Sequence, residues 1–272
     1  MRNRFLRPIF TVIFVAVVLL YSAPVQATDT AKPAIPTGLI ELPGYNHPVY
    51  IFVPEGYTPD NAYPLIISIP KGGEDPVSNI DYWVSLARRK SLLVVTPASF
   101  LRPGSEPYRM DDWVLKIKQD IAERYRVAKD QTYLVGVGQE SAHYAAYLGV
   151  NFPDQFAAVA LLGGSWDGYL EKMMILKNNP GEQLPFLLAF EKRQGNSMEQ
   201  AKKAAYRLED KGYPIHFMDP ESDEGFKASA FKIRLLTQLQ EVSQSWDKIV
   251  QANEKTWRQR VRKWWKRNLT VN

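Results

Sequence analysis

Residues 131–147 read Gln-Thr-Tyr-Leu-Val-Gly-Val-Gly-Gln-Glu-Ser-Ala-His-Tyr-Ala-Ala-Tyr, and residues 151–160 read Asn-Phe-Pro-Asp-Gln-Phe-Ala-Ala-Val-Ala. Tyr133 to Val137 is a short run of the kind found in a strand buried on both faces. It runs straight into Gln139 to Asn151, whose pattern predicts a helix, leaving only Gly138 for the turn. Phe156 to Leu162 then supplies another strand. A strand, a helix and a strand in such close succession predict a parallel pair with a crossover.

Outward from this unit the same alternation continues. Gly38 to Leu42 and Val49 to Val53 are joined by the turn residues Pro43-Gly44-Tyr45-Asn46 and predict an opening antiparallel hairpin. Leu65 to Ile69 and Leu92 to Val95 are buried runs, with a helical pattern from Val77 to Arg89 between them. Asp111 to Tyr125 is amphipathic, with Trp113, Ile117 and Ile121 repeating on one face. Downstream come an irregular insertion containing Trp166, Met173 and Met174, a strand from Leu184 to Phe190, a helix from Met198 to Asp210, a strand from Pro214 to Phe217 and a long final helix. Such alternation predicts an α/β domain, a mostly parallel central sheet with helices on both faces. No internal repeat or low-complexity segment interrupts it.

The ends differ in character from the body. Arg2, Arg4 and Arg7 precede an apolar stretch from Ile9 to Tyr21, and small residues lead to Ala27. This is the pattern of a secretory signal peptide cleaved near Ala27, since the apolar run is shorter than the roughly 20 residues that span a bilayer. The expected organisation is therefore a signal peptide over 1–27, one domain over 28–245 and a basic tail over 246–272, with a periplasmic or secreted mature chain. The net charge of +5 is unevenly spread, because the leader carries +3 and the tail +6, leaving a body of −4. The alkaline balance thus says little about the domain. The chain has no cysteine, and His47, His143 and His216 are far apart, so disulfides, thiol chemistry and a metal or other cofactor are not expected.

The stretch from Gln131 resembles the nucleophile-elbow region of the polyhydroxybutyrate depolymerase and feruloyl esterase branch of the α/β-hydrolase superfamily. The resemblance extends to the opening hairpin, to Tyr125-Arg-Val-Ala-Lys-Asp130 and to Met198-Glu-Gln-Ala-Lys-Lys-Ala204, covering roughly Gly38 to Val242. It implies the α/β-hydrolase fold and an esterase mechanism in which the serine of G-x-S-x-G attacks, helped by a histidine and an acid. Here the elbow reads Gly136-Val137-Gly138-Gln139-Glu140, with Gly138 in place of the serine and Glu140 in place of the last glycine. The acid that the resemblance implies after the strand Leu184 to Phe190 can only be Glu191. The loop that should bring the histidine, Pro220-Glu-Ser-Asp-Glu-Gly-Phe226, contains none. The expectation is a pseudoenzyme with a degenerate elbow, acting by binding a ligand, a partner or an envelope surface. The alternative is an active carboxylesterase with a rearranged nucleophile such as Ser141.

Several residues near the elbow have a functional and an ordinary reading. Ser141 and His143 lie about 200° apart on a helix and cannot form a local nucleophile and base pair; the ordinary role of Ser141 is to satisfy a backbone amide in the first turn. Glu140 could be a carboxylate nucleophile, but it is not at the elbow position and more simply complements the helix dipole. Lys71, Gly72 and Gly73 follow the first central strand, where the resemblance implies an oxyanion-hole amide. With Gly138 and Gln139 they make a candidate site for an anion or carbonyl, against the plainer reading of a Gly-rich turn. His143 and His216 read as packing or structural histidines.

The C-terminal stretch carries an apolar stripe from Phe231 through Leu235, Leu239 and Val242, which should dock on the sheet. Beyond it Trp246, Val250, Trp257, Val261 and Trp264 fall within about 60° of helical arc, with Lys248, Lys255, Arg258, Arg262 and Lys266 on the other side. Trp246, Trp257, Val261, Trp264, Arg258 and Arg262 are therefore candidate contacts for a membrane surface, an acidic polymer or a protein partner, or for the helix's own domain. No nucleic-acid-binding module is present.

Overall fold

A computed structural model describes residues 35–98, 111–177, 179–220 and 224–269, with the backbone alone for 111, 112, 257 and 261–269. The expected signal peptide and the residues Glu221, Ser222 and Asp223 lie outside the described residues. Pro36 onward forms one compact unit.

An eight-stranded sheet runs through it in the order β1-β2-β4-β3-β5-β6-β7-β8. The strands are β1 (Gly38–Glu41), β2 (Val49–Val53), β3 (Tyr63–Ile69), β4 (Leu93–Pro97), β5 (Val127–Val137), β6 (Ala158–Leu162), β7 (Phe186–Ala189) and β8 (Ile215–Met218). The opening hairpin is antiparallel, and β2 joins β4 antiparallel with Val49 opposite Pro97. Every later pairing is parallel. The mostly parallel α/β sheet is as the sequence predicts.

The helices are α1 (Pro76–Lys90), α2 (Asp111–Arg124), α3 (Gln139–Asn151), α4 (Gly168–Leu176), α5 (Gly195–Glu209) and α6 (Ser229–Leu269). Side chains alternate across a strand, and one parity, with Ile66, Val94, Tyr133, Val135 and Ala160, packs against Trp83 and Leu86 of α1 and against Phe231, Leu235 and Leu239 of α6. Trp83 is fully buried, and its indole N–H is satisfied by Ser68 Oγ at 2.9 Å. Helix α3 lies across β5 and β6. It comes so close that a β-carbon at Gly136 would sit 2.2 Å from the carbonyl oxygen of Ser141. Only glycine permits that approach.

Two elements differ from the sequence reading. The supposed irregular insertion contains α4, started by Asp167, whose carboxylate accepts the Leu170 amide at 2.9 Å. Its Tyr169 and Leu176 are exposed while Leu170 and Met174 are buried, so apolar residues lie all round and no stripe marks the helix. Strand β5 also begins six residues before Tyr133, because Lys129 and Asp130 are exposed and leave no apolar run to read.

Candidate functional site

Five loops meet at the carboxyl ends of β3, β5, β6, β7 and β8, which is where open parallel sheets place ligand sites. Gly138 makes the turn from β5 into α3 with φ 82° and ψ 167°. This region of backbone space belongs almost entirely to glycine. Both backbone groups of Gly138 are engaged: the N–H donates to Leu162 O at 2.7 Å and the carbonyl accepts Ala142 N–H at 2.9 Å. A β-carbon here would lie 3.4 Å from Lys71 Cγ and 3.8 Å from Cδ. The stem of Lys71 thus runs past the point from which a nucleophile would project. That contact is of ordinary length, so the backbone, not space, excludes a side chain.

The loop after β3 closes on itself. Lys71 N–H donates to Glu74 Oε2 at 2.9 Å, and Glu74 N–H returns to Lys71 O at 2.9 Å. The carboxylate also accepts Asn79 Nδ2 at 3.4 Å, and buried Asn79 accepts Thr96 Oγ1 at 3.2 Å. Gly73, at φ 77°, allows the turn. One amide expected to face a ligand is accordingly held by the chain's own carboxylate.

The loop after β6 presses on the elbow. A β-carbon on Gly164 would stand 2.7 Å from Gln139 Cα and 2.8 Å from Ala142 Cβ. Gln139 in turn donates through Nε2 to Ser165 O at 3.3 Å. Gly163, at φ 75°, is tied to the loop after β7 by Gln194, whose Nε2 donates to Gly163 O at 3.1 Å while its Oε1 accepts Glu191 N–H at 3.0 Å. Gly163, Gly164 and Gln194 were not singled out in the sequence, although a Gly-Gly pair ending an apolar strand is a visible signal of close backbone approach.

Glu191 lies two residues past β7 and faces the loop before α6. A β-carbon on Gly225, at φ 60°, would be 2.8 Å from Glu191 Oε1. The other carboxylate oxygen holds Arg193 Nε at 2.8 Å. Between them is a cleft of 490 Å³ lined by Glu191, Lys192, Arg193, Pro220, Glu224, Gly225 and Lys227. Its wall is braced by Tyr82, whose hydroxyl donates to Phe226 O and whose carbonyl accepts Lys232 Nζ at 2.7 Å. Burial, with Glu191 nearby, raises the Tyr82 pKa, so the phenol stays protonated.

No family model and no curated protein matches the sequence. Solved structures do match in shape. A thermostable esterase superposes with TM-score 0.55 over 77% of this chain at 16% identity; the chain spans 62% of that esterase's length. An S-formylglutathione hydrolase from Staphylococcus aureus gives 0.56 at 14% identity, covering 76% of this chain and 99% of the other. A feruloyl esterase module from Clostridium thermocellum gives 0.54 at 15%, covering 72% and 84%. The chain has the α/β-hydrolase fold.

Of the positions that the sequence resemblance singles out, Gly138 makes the turn after β5, and Glu191 lies beside the loop at Gly225. Opposite Glu191, however, stands a glycine. The remaining candidates are dispersed. Glu140 is exposed in the first turn of α3, where it complements the helix dipole. Ser141 is 1% exposed and donates its hydroxyl to Pro70 O at 2.6 Å. That corrects the expected amide cap: the hydroxyl joins α3 to the loop after β3 by giving its proton to a carbonyl. His143 has Nε2 3.9 Å from Asp167 Oδ2 and is largely covered. Burial lowers its pKa while Asp167 opposes the shift. His216 is exposed on the edge strand β8, and His47 lies in the opening turn, also exposed.

At the far end, Trp246 is half-buried and its Nε1 donates to Gln183 O at 3.1 Å, so this tryptophan packs on the domain. Arg258 is exposed and pairs with Glu254 at 3.0 Å. The side chains of Trp257, Val261, Arg262 and Trp264 lie outside the described residues. Among the described residues no helix is long and apolar enough to cross a membrane.

Proposed function

We propose that this chain is a noncatalytic protein of the α/β-hydrolase fold, exported after cleavage near Ala27, which works by binding at the carboxyl ends of its sheet. One observation carries the reading: the elbow residue is Gly138, in a backbone conformation that a serine would adopt only under strain. Hydrolysis by this fold needs nucleophile, base and acid in mutual reach. Glu191 facing Gly225 supplies at most the acid. The structural neighbours are named as esterases and hydrolases, so the fold is one that can host such chemistry, and the reading rests on this chain's own residues at the sheet's carboxyl ends. The cleft between Arg193 and Lys227 is the binding region we favour. It offers both signs of charge at its rim and so suits a small polar ligand.

Ser141 is the residue through which the competing esterase reading would act. Its burial and its bond to Pro70 O speak for a structural hydroxyl. The test is a fluorophosphonate probe together with turnover of short aryl esters by the chain from Thr28 onward. No stoichiometric label and no rate above background are expected. Stoichiometric labelling that disappears in Ser141→Ala would falsify the noncatalytic reading.

A further inference from the structure

We propose that the C-terminal part of α6, from Gln251 to Leu269, anchors the protein on an anionic lipid surface. Among the described side chains of this helix, Val250 is the last that is partly covered. Phe231, Leu235 and Leu239 are buried, Trp246 and Val250 are half-buried, and every residue from Gln251 to Thr256 and from Arg258 to Arg260 is exposed. The backbone nevertheless continues as one helix to Leu269, about 28 Å past the last docked residue. A helix of this length is marginal alone in water because its nucleus is costly. Here the docked segment supplies the nucleus, and the Glu254–Arg258 pair at 3.0 Å adds the favoured i,i+4 order.

Charge and composition select the occupant. After Glu254 the helix carries Lys255, Arg258, Arg260, Arg262, Lys263, Lys266 and Arg267 and no acid. At 100° per residue the positions of Trp257, Val261, Trp264 and Trp265 share an arc of about 100°, and 255, 258, 262 and 266 lie outside it. A stripe rich in tryptophan beside a basic face suits the headgroup boundary of an anionic bilayer, where indoles settle at interfacial depth and each basic residue adds attraction. The body, at −4, is repelled by such a surface, so the contact is confined to the tail. Helix α6 starts beside the Glu191 cleft and reaches Gln183, ahead of the first residue of β7, at Trp246. It therefore leaves the domain at the end of the sheet opposite the elbow. Anchoring there keeps the cleft facing solvent.

The experiment is co-sedimentation of the chain from Thr28 with vesicles of phosphatidylglycerol mixed into phosphatidylcholine, and with phosphatidylcholine alone, at low and high salt. We expect binding to the anionic vesicles only, weakened by salt, and about a hundredfold weaker in a full-length variant carrying Arg258→Gln, Arg262→Gln and Lys266→Gln. Trp257→Ala with Trp264→Ala should remove what binding survives salt. Equal binding to neutral vesicles, no binding at low salt, or an unaltered triple variant overturns the proposal. So does a salt-resistant rise in sedimenting mass without lipid, which would make the occupant a second copy of the chain.

Discussion

At the residue scale, glycine decides what the elbow can do. Gly138→Ser places a hydroxyl where the sequence resemblance implies the nucleophile, yet it forces φ 82° and ψ 167° on a residue with a β-carbon. We expect a loss of about 1–3 kcal/mol in denaturant unfolding and no useful gain in aryl-ester turnover. On the noncatalytic reading several members of a cooperating set are missing, and restoring one then returns little. A rise of orders of magnitude would mean that a base stands nearby after all. Gly136→Ala should be worse for stability, by roughly 3 kcal/mol or more, because its β-carbon would meet backbone at 2.2 Å, which cannot step aside as the Lys71 side chain can. His143 adds a pH effect. Its folded pKa is depressed by burial, so in the window below its unfolded value of about 6.5 the unfolded chain binds more protons. The stability this histidine contributes is full above that value and is lost as pH falls through the folded pKa. Urea unfolding at stepped pH should show this slope, and His143→Gln should flatten it; an unchanged slope would point to another group.

At the element scale, the sequence announced what periodicity and composition can carry. Strands β3, β4 and β6 are apolar runs buried on both faces, and α3 starts and ends where its pattern does, because Gly138 cannot continue a strand and Pro153 cannot continue a helix. The glycine at position 138 was equally plain, since a missing side chain is visible in sequence. Long-range contacts were not. Nothing local in Lys71 tells that its stem passes Gly138, nor in Gln194 that its amide ties Glu191 to Gly163. The end of the domain was also hidden, because the same apolar stripe continues from the docked to the exposed part of α6. The sequence suggests a break after Ser245, whereas docking extends through Val250, and this separates two truncations. A chain ending at Val250 should unfold within about 0.5 kcal/mol of the full protein, since every described side chain it loses is exposed. One ending at Ser245 loses Trp246 packing and its bond to Gln183 and should be weaker by about 2–3 kcal/mol. Equal midpoints for the two would show that Trp246 contributes nothing.

At the scale of the whole molecule, the chain is an acidic domain joined to a basic rod, and the two should part in a defined order under protease. Cleavage needs a segment of roughly ten residues to open, and opening is cheapest where few tertiary contacts are broken. Past Val250 the residues 251–256 and 258–260 are exposed and leave the helix few tertiary contacts to break, and it carries seven trypsin sites from Lys255 to Arg267. Within the domain, Lys118 donates to Gln155 and Lys232 is buried beneath Tyr82, so these two sites open only with much of the core, and exposed ones such as Arg89 and Lys90 are held in helices packed on the sheet. Limited trypsin should therefore first produce a fragment ending near Lys255, long before internal cuts. The trimming also reverses the sign of the charge: residues 28–250 carry −4, while 28–272 carry +2. At pH 7 the intact chain should bind a cation exchanger and the fragment an anion exchanger, and the fragment should keep the circular dichroism melt of the parent. Anionic vesicles present during digestion should delay the first cut, because a helix lying in the headgroups is both held and covered. Early internal fragments, or a first cut indifferent to lipid, would show that the tail is neither separate from the domain nor the part that meets a membrane.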